Sequence, residues 1–172
     1  MNKVSKPGQV FNFVLYLTLQ VAVARFIVLP HTACFVYVGF FLLLPRWQEG
    51  LTTLLLVSFA VGLLVDIFLN DMGTHAFASV LMVYSRSLLL KLMLPTSGYE
   101  AATQPTLDHL GCKRFSLFAL PLIGLHHAAL FFLDAGSSLY FFVTMRKLLS
   151  SALLTYIAFL ITQIPTCLLS RR

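Results

Sequence analysis

Charged side chains are scarce in this sequence. Only 10% of the 172 residues are Asp, Glu, Lys or Arg, whereas a soluble domain carries about 25%. The apolar fraction is 59% and the mean hydropathy is +0.88. So few charges cannot cover a water-facing surface, which excludes a soluble globular enzyme, and such high hydrophobicity excludes intrinsic disorder. The composition predicts an all-α, multi-pass integral membrane protein.

Cysteine is also rare, and catalytic signatures are missing. Cys34, Cys112 and Cys167 form neither a CxxC nor a CxxH pair, so neither a disulfide framework nor a metal knuckle is indicated. The sequence contains no GxSxG, no HExxH and no glycine-rich phosphate loop, the motifs that would point to chemistry. We therefore expect no enzymatic activity, no cofactor and no metal site.

Long apolar runs predict six transmembrane helices in a single domain, 1–172. A spanning helix needs about 20 apolar residues, and we expect the first span to be retained, because no leader cleavage site follows it. The second span is short by roughly 7 Å. The predicted spans are 9–28, 31–45, 50–69, 75–94, 114–133 and 148–168.

Two further segments lie between these spans. The polar stretch 95–113 is predicted to be a loop. The stretch 134–147 contains Arg146 and Lys147, and joining it to the last span would make a helix longer than the bilayer is thick. It is therefore predicted to be a short interfacial helix or a re-entrant turn.

The distribution of basic residues predicts that both termini are cytoplasmic. Basic residues concentrate on the cytoplasmic side of a membrane protein, and one side of this chain carries eight of them against at most three on the other. The richer side has Lys3, Lys6, Arg46, Lys91, Lys113, Arg114, Arg171 and Arg172, and the poorer side has Arg25, Arg146 and Lys147. This orientation places the 95–113 loop in the cytoplasm. The excess of 12 basic over 6 acidic residues therefore does not indicate nucleic acid.

Asp66 requires a partner, because a charge inside the bilayer costs a few kcal/mol or more. Ser58, Gly62 and Asp66 recur at every fourth position and therefore share one helix face. Small residues on such a face indicate close helix packing, here ending in a polar contact. Arg25 and the pair His126–His127 lie at depths that allow an ion pair with Asp66. Two interpretations remain open: a proton or substrate site, and a pair that locks helices together.

The other intramembrane polar residues have simpler interpretations. Arg86 is predicted to reach the cytoplasmic interface by snorkelling or to meet a carboxylate there. His126 and His127 point about 100° apart on a helix and cannot hold one ion from one face. Gly124 and Ala128 flank this doublet and predict another close-packed face.

Several segments, in this order, resemble one known family. They are FLLLPRW, GLLVDIFLNDMGTHA, YSRSLLLKLMLP, GYE and LHHAALFFLDA. Across about 9–165 the chain resembles the rod shape-determining protein MreD family, in its Bacteroidetes form. The most specific part runs from Gly62 to His75: the family's aspartate corresponds to Asp66 and its turn glycine to Gly73. The usual proline of that turn is missing.

The resemblance implies a non-enzymatic scaffold subunit in the bacterial inner membrane. MreD is a multi-pass component of the cell-elongation machinery that makes peptidoglycan. It associates with MreC, and through MreC with a RodA-type glycosyltransferase, a class B penicillin-binding transpeptidase and MreB. Membrane lipids complete the expected partners. The family provides no catalytic residues, and neither nucleic acid nor a small-molecule ligand is expected.

A second function from a different class also remains open. The MreD family is thought to share a six-helix architecture with the substrate-binding S components of energy-coupling-factor vitamin transporters. A transporter subunit would have a polar pocket opening to the outer face, lined by Asp66, His126, Arg25 and residues near 70–75. Polar residues in that half are few, whereas a binding site usually gathers several convergent polar groups.

Overall fold

A computed structural model describes residues 11–20, 32–44, 50–93, 105–135 and 141–170, the last with side chains to 164. The regular elements assigned within these residues are all α-helices. They are α1 (Phe11–Gln20), α2 (Val38–Leu43), α3 (Leu51–Leu69), α4 (Thr74–Met93), α5 (Leu107–Ala135) and α6 (Phe141–Ser170).

By length and composition, four of these helices are able to cross a membrane: Leu51–Leu69, Thr74–Met93, Leu107–Ala135 and Phe141–Ile164. Even the shortest is about 28 Å long at 1.5 Å per residue, close to the ~30 Å of a bilayer's hydrocarbon core. This confirms the coarse prediction of an all-α, multi-pass membrane protein.

The helical hairpin of α3 and α4 follows the prediction to within one residue. Leu69 ends α3, and Asn70 continues with φ 60° and ψ 37°, the left-handed conformation that commonly ends helices. Gly73, with φ 87°, precedes Thr74, the first residue of α4. Two left-handed positions thus turn the chain within four residues, and glycine occupies one of them without steric cost.

The predicted second span, 31–45, is wrong as a continuous helix. Helical geometry covers only Val38–Leu43, because the backbone before it is bonded by side chains of other elements instead. Ala33 N–H donates to Ser151 Oγ (2.9 Å) and Phe35 N–H to Thr155 Oγ1 (3.1 Å). Irregular backbone at membrane depth is tolerated when it is buried in protein in this way.

Two boundaries near α5 and α6 also differ from the prediction. The predicted segment 134–147 is not separate where it is described, because 134–135 end α5 and 141–147 begin α6, whereas 136–140 lie outside the described residues. With 30 residues, α6 is about 45 Å long and exceeds the ~30 Å hydrocarbon core. Within the predicted 95–113 loop, 107–110 form a helical turn that the non-helical Gly111 (φ 71°, ψ 160°) separates from the rest of α5, and 95–104 lie outside the described residues.

Consecutive helices pack side by side, α3 on α4, α4 on α5 and α5 on α6. The interior contains large aromatic and aliphatic side chains such as Phe41, Met82, Phe118 and Ile123. The outer faces are apolar as well: Leu56, Ile67, Phe68, Phe142 and Leu149 are each more than 60% exposed. A surface this apolar suits lipid, because lipid chains are as apolar as these side chains.

Candidate functional site

Asp66 caps the start of α4 from the end of α3. Its side chain is 1% exposed, and its oxygens Oδ1 and Oδ2 accept hydrogen bonds from the backbone N–H groups of His75 and Ala76, both at 2.9 Å. The first N–H groups of a helix have no partner within the helix, and Gly73, which precedes α4, has no side chain to offer one. The carboxylate thus supplies the missing cap, and the positive end of the α4 dipole stabilises its charge.

Gly62 allows α3 to approach α4 closely enough for this contact. A Cβ at Gly62 would lie 2.5 Å from Ala76 Cα and 2.6 Å from the His75 carbonyl oxygen, distances at which backbone would have to move. Ser58 lies on the same face, fully buried, and its hydroxyl donates to the carbonyl of Leu55 in its own helix (2.9 Å). The Ser58–Gly62–Asp66 face is therefore the face of α3 that packs on α4.

The hydroxyl of Tyr37 lies at the centre of a second buried group. Tyr37 is 1% exposed, and its oxygen lies 3.3 Å from His75 Nδ1, 3.0 Å from Ser79 Oγ and 2.8 Å from His126 Nε2. A phenol provides one donor and two acceptor positions, so three partners use its full capacity. One side chain from the segment before α2 thereby joins α4 to α5.

His127 extends these contacts to α6. Its Nδ1 lies 2.9 Å from the carbonyl oxygen of Ile123, which accepts only, so Nδ1 carries the proton. Its Nε2 is then the acceptor for the Thr155 hydroxyl at 3.2 Å. Thr155 Oγ1 in turn accepts the N–H of Phe35. We call Tyr37, His75, Ser79, His126, His127 and Thr155 the polar cluster.

The polar cluster surrounds one aromatic ring and contacts an exposed carboxylate. The Phe35 ring centroid lies 4.7 Å from that of His75, 5.7 Å from that of His126 and 5.2 Å from that of His127. At the surface, His75 Nε2 lies 3.3 Å from Oδ2 of Asp71, whose side chain is 38% exposed. His126 Nδ1 is buried without a hydrogen-bond partner among the described residues.

The structure corrects the predicted pairing of Asp66 with His126 or His127. Asp66 bonds backbone amides, His126 bonds Tyr37, and His127 bonds Ile123 and Thr155. The ion pair fails because the α4 N-terminus already supplies two donors to the carboxylate. The other predicted partner, Arg25, lies outside the described residues.

The snorkelling predicted for Arg86 and the close packing predicted for Gly124 are not observed. Arg86 does not snorkel: it is 1% exposed, and its Nη2 donates to the carbonyl of Leu44, just after α2. That carbonyl has no partner within the short helix, and the guanidinium satisfies it. Gly124 has no atom within 4 Å of where a Cβ would be, so it is not a close-packing position.

Asp66, Asp71 and His75 form a group of three possible metal ligands in the described part of the chain. One ligand atom from each lies within 4.8 Å of the others. A helix cap next to a His–Asp hydrogen bond produces the same spacing, so this geometry does not by itself indicate a metal.

Sequence reasoning found Asp66, Gly62 and the two histidines but missed Tyr37, Ser79 and the role of His75. Tyr37 lies in an apolar segment, where a tyrosine usually faces lipid or belongs to the core, so the sequence did not single it out. One signal was present for Thr155: it belongs to a stripe of small and hydroxylated residues on the last helix, Ser151, Thr155, Ala158 and Thr162.

Comparison with known proteins adds no relative: the chain matches no protein-family model, no curated protein and no solved structure.

A cavity of about 520 Å³ lies apart from the polar cluster, where the end of α5 meets the start of α6. Its walls include Thr32, Phe131, Asp134, Val143, Thr144 and Lys147. Neither Asp66 nor His126 is among its lining residues.

Proposed function

We propose that this chain is a non-enzymatic scaffold subunit of the bacterial inner membrane, similar to MreD, in the cell-elongation complex that makes peptidoglycan. The supporting observation is how its buried polar groups are used. Asp66 caps a helix, Tyr37 joins two helices, and Arg86 holds a backbone carbonyl. These groups hold elements of the same chain together, as a rigid platform requires.

We also propose six membrane crossings, the second of them irregular. The stretch 32–44 starts at the α5–α6 end, where Thr32 shares a cavity with Lys147. It finishes at Leu44, bonded to Arg86, about 18 Å along α4 from Thr74. This advance of about 18 Å is more than half of the ~30 Å hydrocarbon thickness, which supports a second, irregular crossing.

The proposed partners follow from the family resemblance. With both termini cytoplasmic, the α3–α4 turn and the α5–α6 connection face the periplasm. The apolar outer faces would receive the transmembrane helix of an MreC-like scaffold, since helices associate in lipid through packed faces. Through that scaffold the chain would be linked to a RodA-type glycosyltransferase, a class B penicillin-binding transpeptidase and MreB.

The alternative, a substrate-binding subunit of a vitamin-type transporter, predicts a pocket lined by Asp66 and His126. Those two side chains are instead bonded to backbone and to Tyr37. The cavity at the α5–α6 end keeps the alternative open, because its volume is in the ~300–1,000 Å³ range of ligand sites.

The two functions are distinguished by affinity purification from native membranes in a mild detergent, with identification of the chains that co-purify. The scaffold function predicts an MreC-like protein together with wall-synthesis enzymes. An ATPase module with its coupling subunit, in place of these proteins, would contradict the scaffold proposal and favour the transporter. A tagged, unrelated multi-pass protein from the same membranes is the control for carry-over.

A further inference from the structure

The cavity between α5 and α6 has features that the scaffold function does not use. Phe131 and Asp134 come from the last turns of α5, Val143, Thr144 and Lys147 from the first turns of α6, and Thr32 from the segment before α2. Helix ends of a spanning bundle lie near the level of lipid headgroups. The cavity therefore opens where a headgroup is available.

Two opposite charges line this cavity without forming a tight ion pair. Lys147 Nζ lies 4.0 Å from Asp134 Oδ2, with side-chain exposures of 38% and 63%. Such an exposed pair contributes little stability. Lys147 Nζ also lies 4.6 Å from the centre of the Phe131 ring, which holds the ammonium against the cavity wall by a cation–π contact.

A buried hydroxyl group belongs to one of the residues that line the cavity, Thr32. Thr32 Oγ1 is buried and has no hydrogen-bond partner among the described residues, although buried polar atoms normally have one. Apart from Thr144, the remaining wall is apolar, with Phe131, Ala33, Ala135 and Val143.

We propose that this cavity binds a phosphoethanolamine headgroup, with the phosphate on Lys147 and the ammonium on Asp134. A purely anionic ligand would be repelled by Asp134, and a purely cationic one by Lys147. A zwitterion satisfies both charges. A primary ammonium donates hydrogen bonds to the carboxylate, which a trimethylammonium group cannot do. The apolar wall accommodates the glycerol and the first acyl carbons.

The test uses the full chain purified in detergent, with its thermal unfolding followed as a ligand is added. The probes are the short-chain dihexanoyl forms of phosphatidylethanolamine, phosphatidylcholine and phosphatidylglycerol, together with soluble glycerophosphoethanolamine. A ligand that binds only the folded state raises the midpoint of thermal unfolding in a saturable way.

We expect phosphatidylethanolamine to bind at least roughly tenfold more tightly than the other two lipids, which is the effect of one charge-assisted hydrogen bond. If glycerophosphoethanolamine raises the unfolding midpoint as much as phosphatidylethanolamine does, the headgroup alone is the ligand. If it does not raise the midpoint, the acyl chains are also needed for binding. Either result supports the site, provided that phosphatidylethanolamine itself binds selectively.

Variants locate the binding. Lys147→Ala and Asp134→Ala should each raise the apparent Kd for phosphatidylethanolamine roughly tenfold, while Lys147→Arg should retain most of the affinity. Lys91→Ala removes an exposed lysine from the other end of α4 and should change nothing. Equal binding of the three lipids, or unchanged binding in both alanine variants, would overturn the proposal. Because no partner protein takes part, the result is independent of the scaffold function.

Discussion

At the scale of single residues, the chain uses ionisable side chains as replacements for missing backbone partners. Asp66 serves the free N–H groups at the start of α4, and Arg86 serves the carbonyl left free after α2. Asp66 and Arg86 are both 1% exposed, so removing either would deprive backbone groups of a partner and leave a buried side-chain space. Their value to the protein is therefore structural.

Asp66→Asn should destabilise the protein. An amide has one oxygen, so one of the two N–H groups at the start of α4 loses its acceptor and the favourable charge at the helix dipole disappears. We expect a loss of about 1–3 kcal/mol in the free energy of unfolding, measured by denaturant titration in detergent micelles. Asp134→Asn is the exposed control, with an expected change below about 0.5 kcal/mol. Equal effects of the two substitutions would refute the capping role.

Tyr37→Phe tests the polar cluster with the loss of one oxygen atom. His75, Ser79 and His126 would each lose a buried partner, at a cost of about 1–3 kcal/mol. Tyr84→Phe is the matched control, because Tyr84 is 47% exposed, and it should leave the unfolding midpoint nearly unchanged. A neutral Tyr37→Phe would mean that the Tyr37 hydroxyl contributes nothing to stability.

The sequence identified Asp66 as a residue in need of a partner, but it could not identify that partner. The N–H groups of His75 and Ala76 belong to the backbone. Every residue except proline has such a group, so the sequence does not show which of them Asp66 binds. The role of Tyr37 could not be predicted for a similar reason. Its hydroxyl lies between α4 and α5 because the segment before α2 is irregular, and the sequence pattern does not show that irregularity.

At the scale of elements, glycine decides how closely α3 and α4 approach. Gly62→Ala places a methyl group 2.5 Å from Ala76 Cα, so the helices must separate and the Asp66 cap must lengthen. We expect a destabilisation of about 1–3 kcal/mol, the usual cost of overpacking, in the same unfolding assay.

Gly124→Ala provides the matched control for that prediction. Gly124 is also helical, but its added Cβ would meet nothing within 4 Å. Alanine is the better helix former by up to about 1 kcal/mol, so this variant should be neutral or slightly more stable. Similar losses at both glycines would show that helix packing does not depend on Gly62.

The length of the apolar runs predicted the bounds of α3 and α4 closely, because each is a continuous helix of about 20 mainly apolar residues. It failed for 31–45 because the length rule assumes that a buried backbone can be satisfied only by helical hydrogen bonds. Here the hydroxyls of Ser151 and Thr155 accept the N–H groups instead. The start of α6 was missed because helix length was limited to bilayer thickness, although a helix can continue beyond the membrane.

At the scale of the whole molecule, the orientation in the membrane remains a prediction from the basic residues. Met72, fully exposed in the α3–α4 turn, should face the periplasm, and the exposed Cys112 near the start of α5 should face the cytoplasm. In a Cys34→Ser, Cys167→Ser background, a membrane-impermeant maleimide should label Cys112 in inverted vesicles but not in spheroplasts. With Cys112→Ser added, a Met72→Cys variant should show the reverse pattern. Labelling of both positions from the same side would contradict the six-crossing topology.

The most direct test of the account asks whether the buried polar residues serve folding or partner binding. The measurement is the amount of co-purifying wall-synthesis protein per folded subunit, for wild type, Asp66→Asn and Tyr37→Phe, in the same mild detergent. A scaffold held together by internal contacts predicts fewer folded subunits in both variants but an unchanged amount of partner per folded subunit. Normal abundance with a lost partner would place these side chains in an interface and contradict the account.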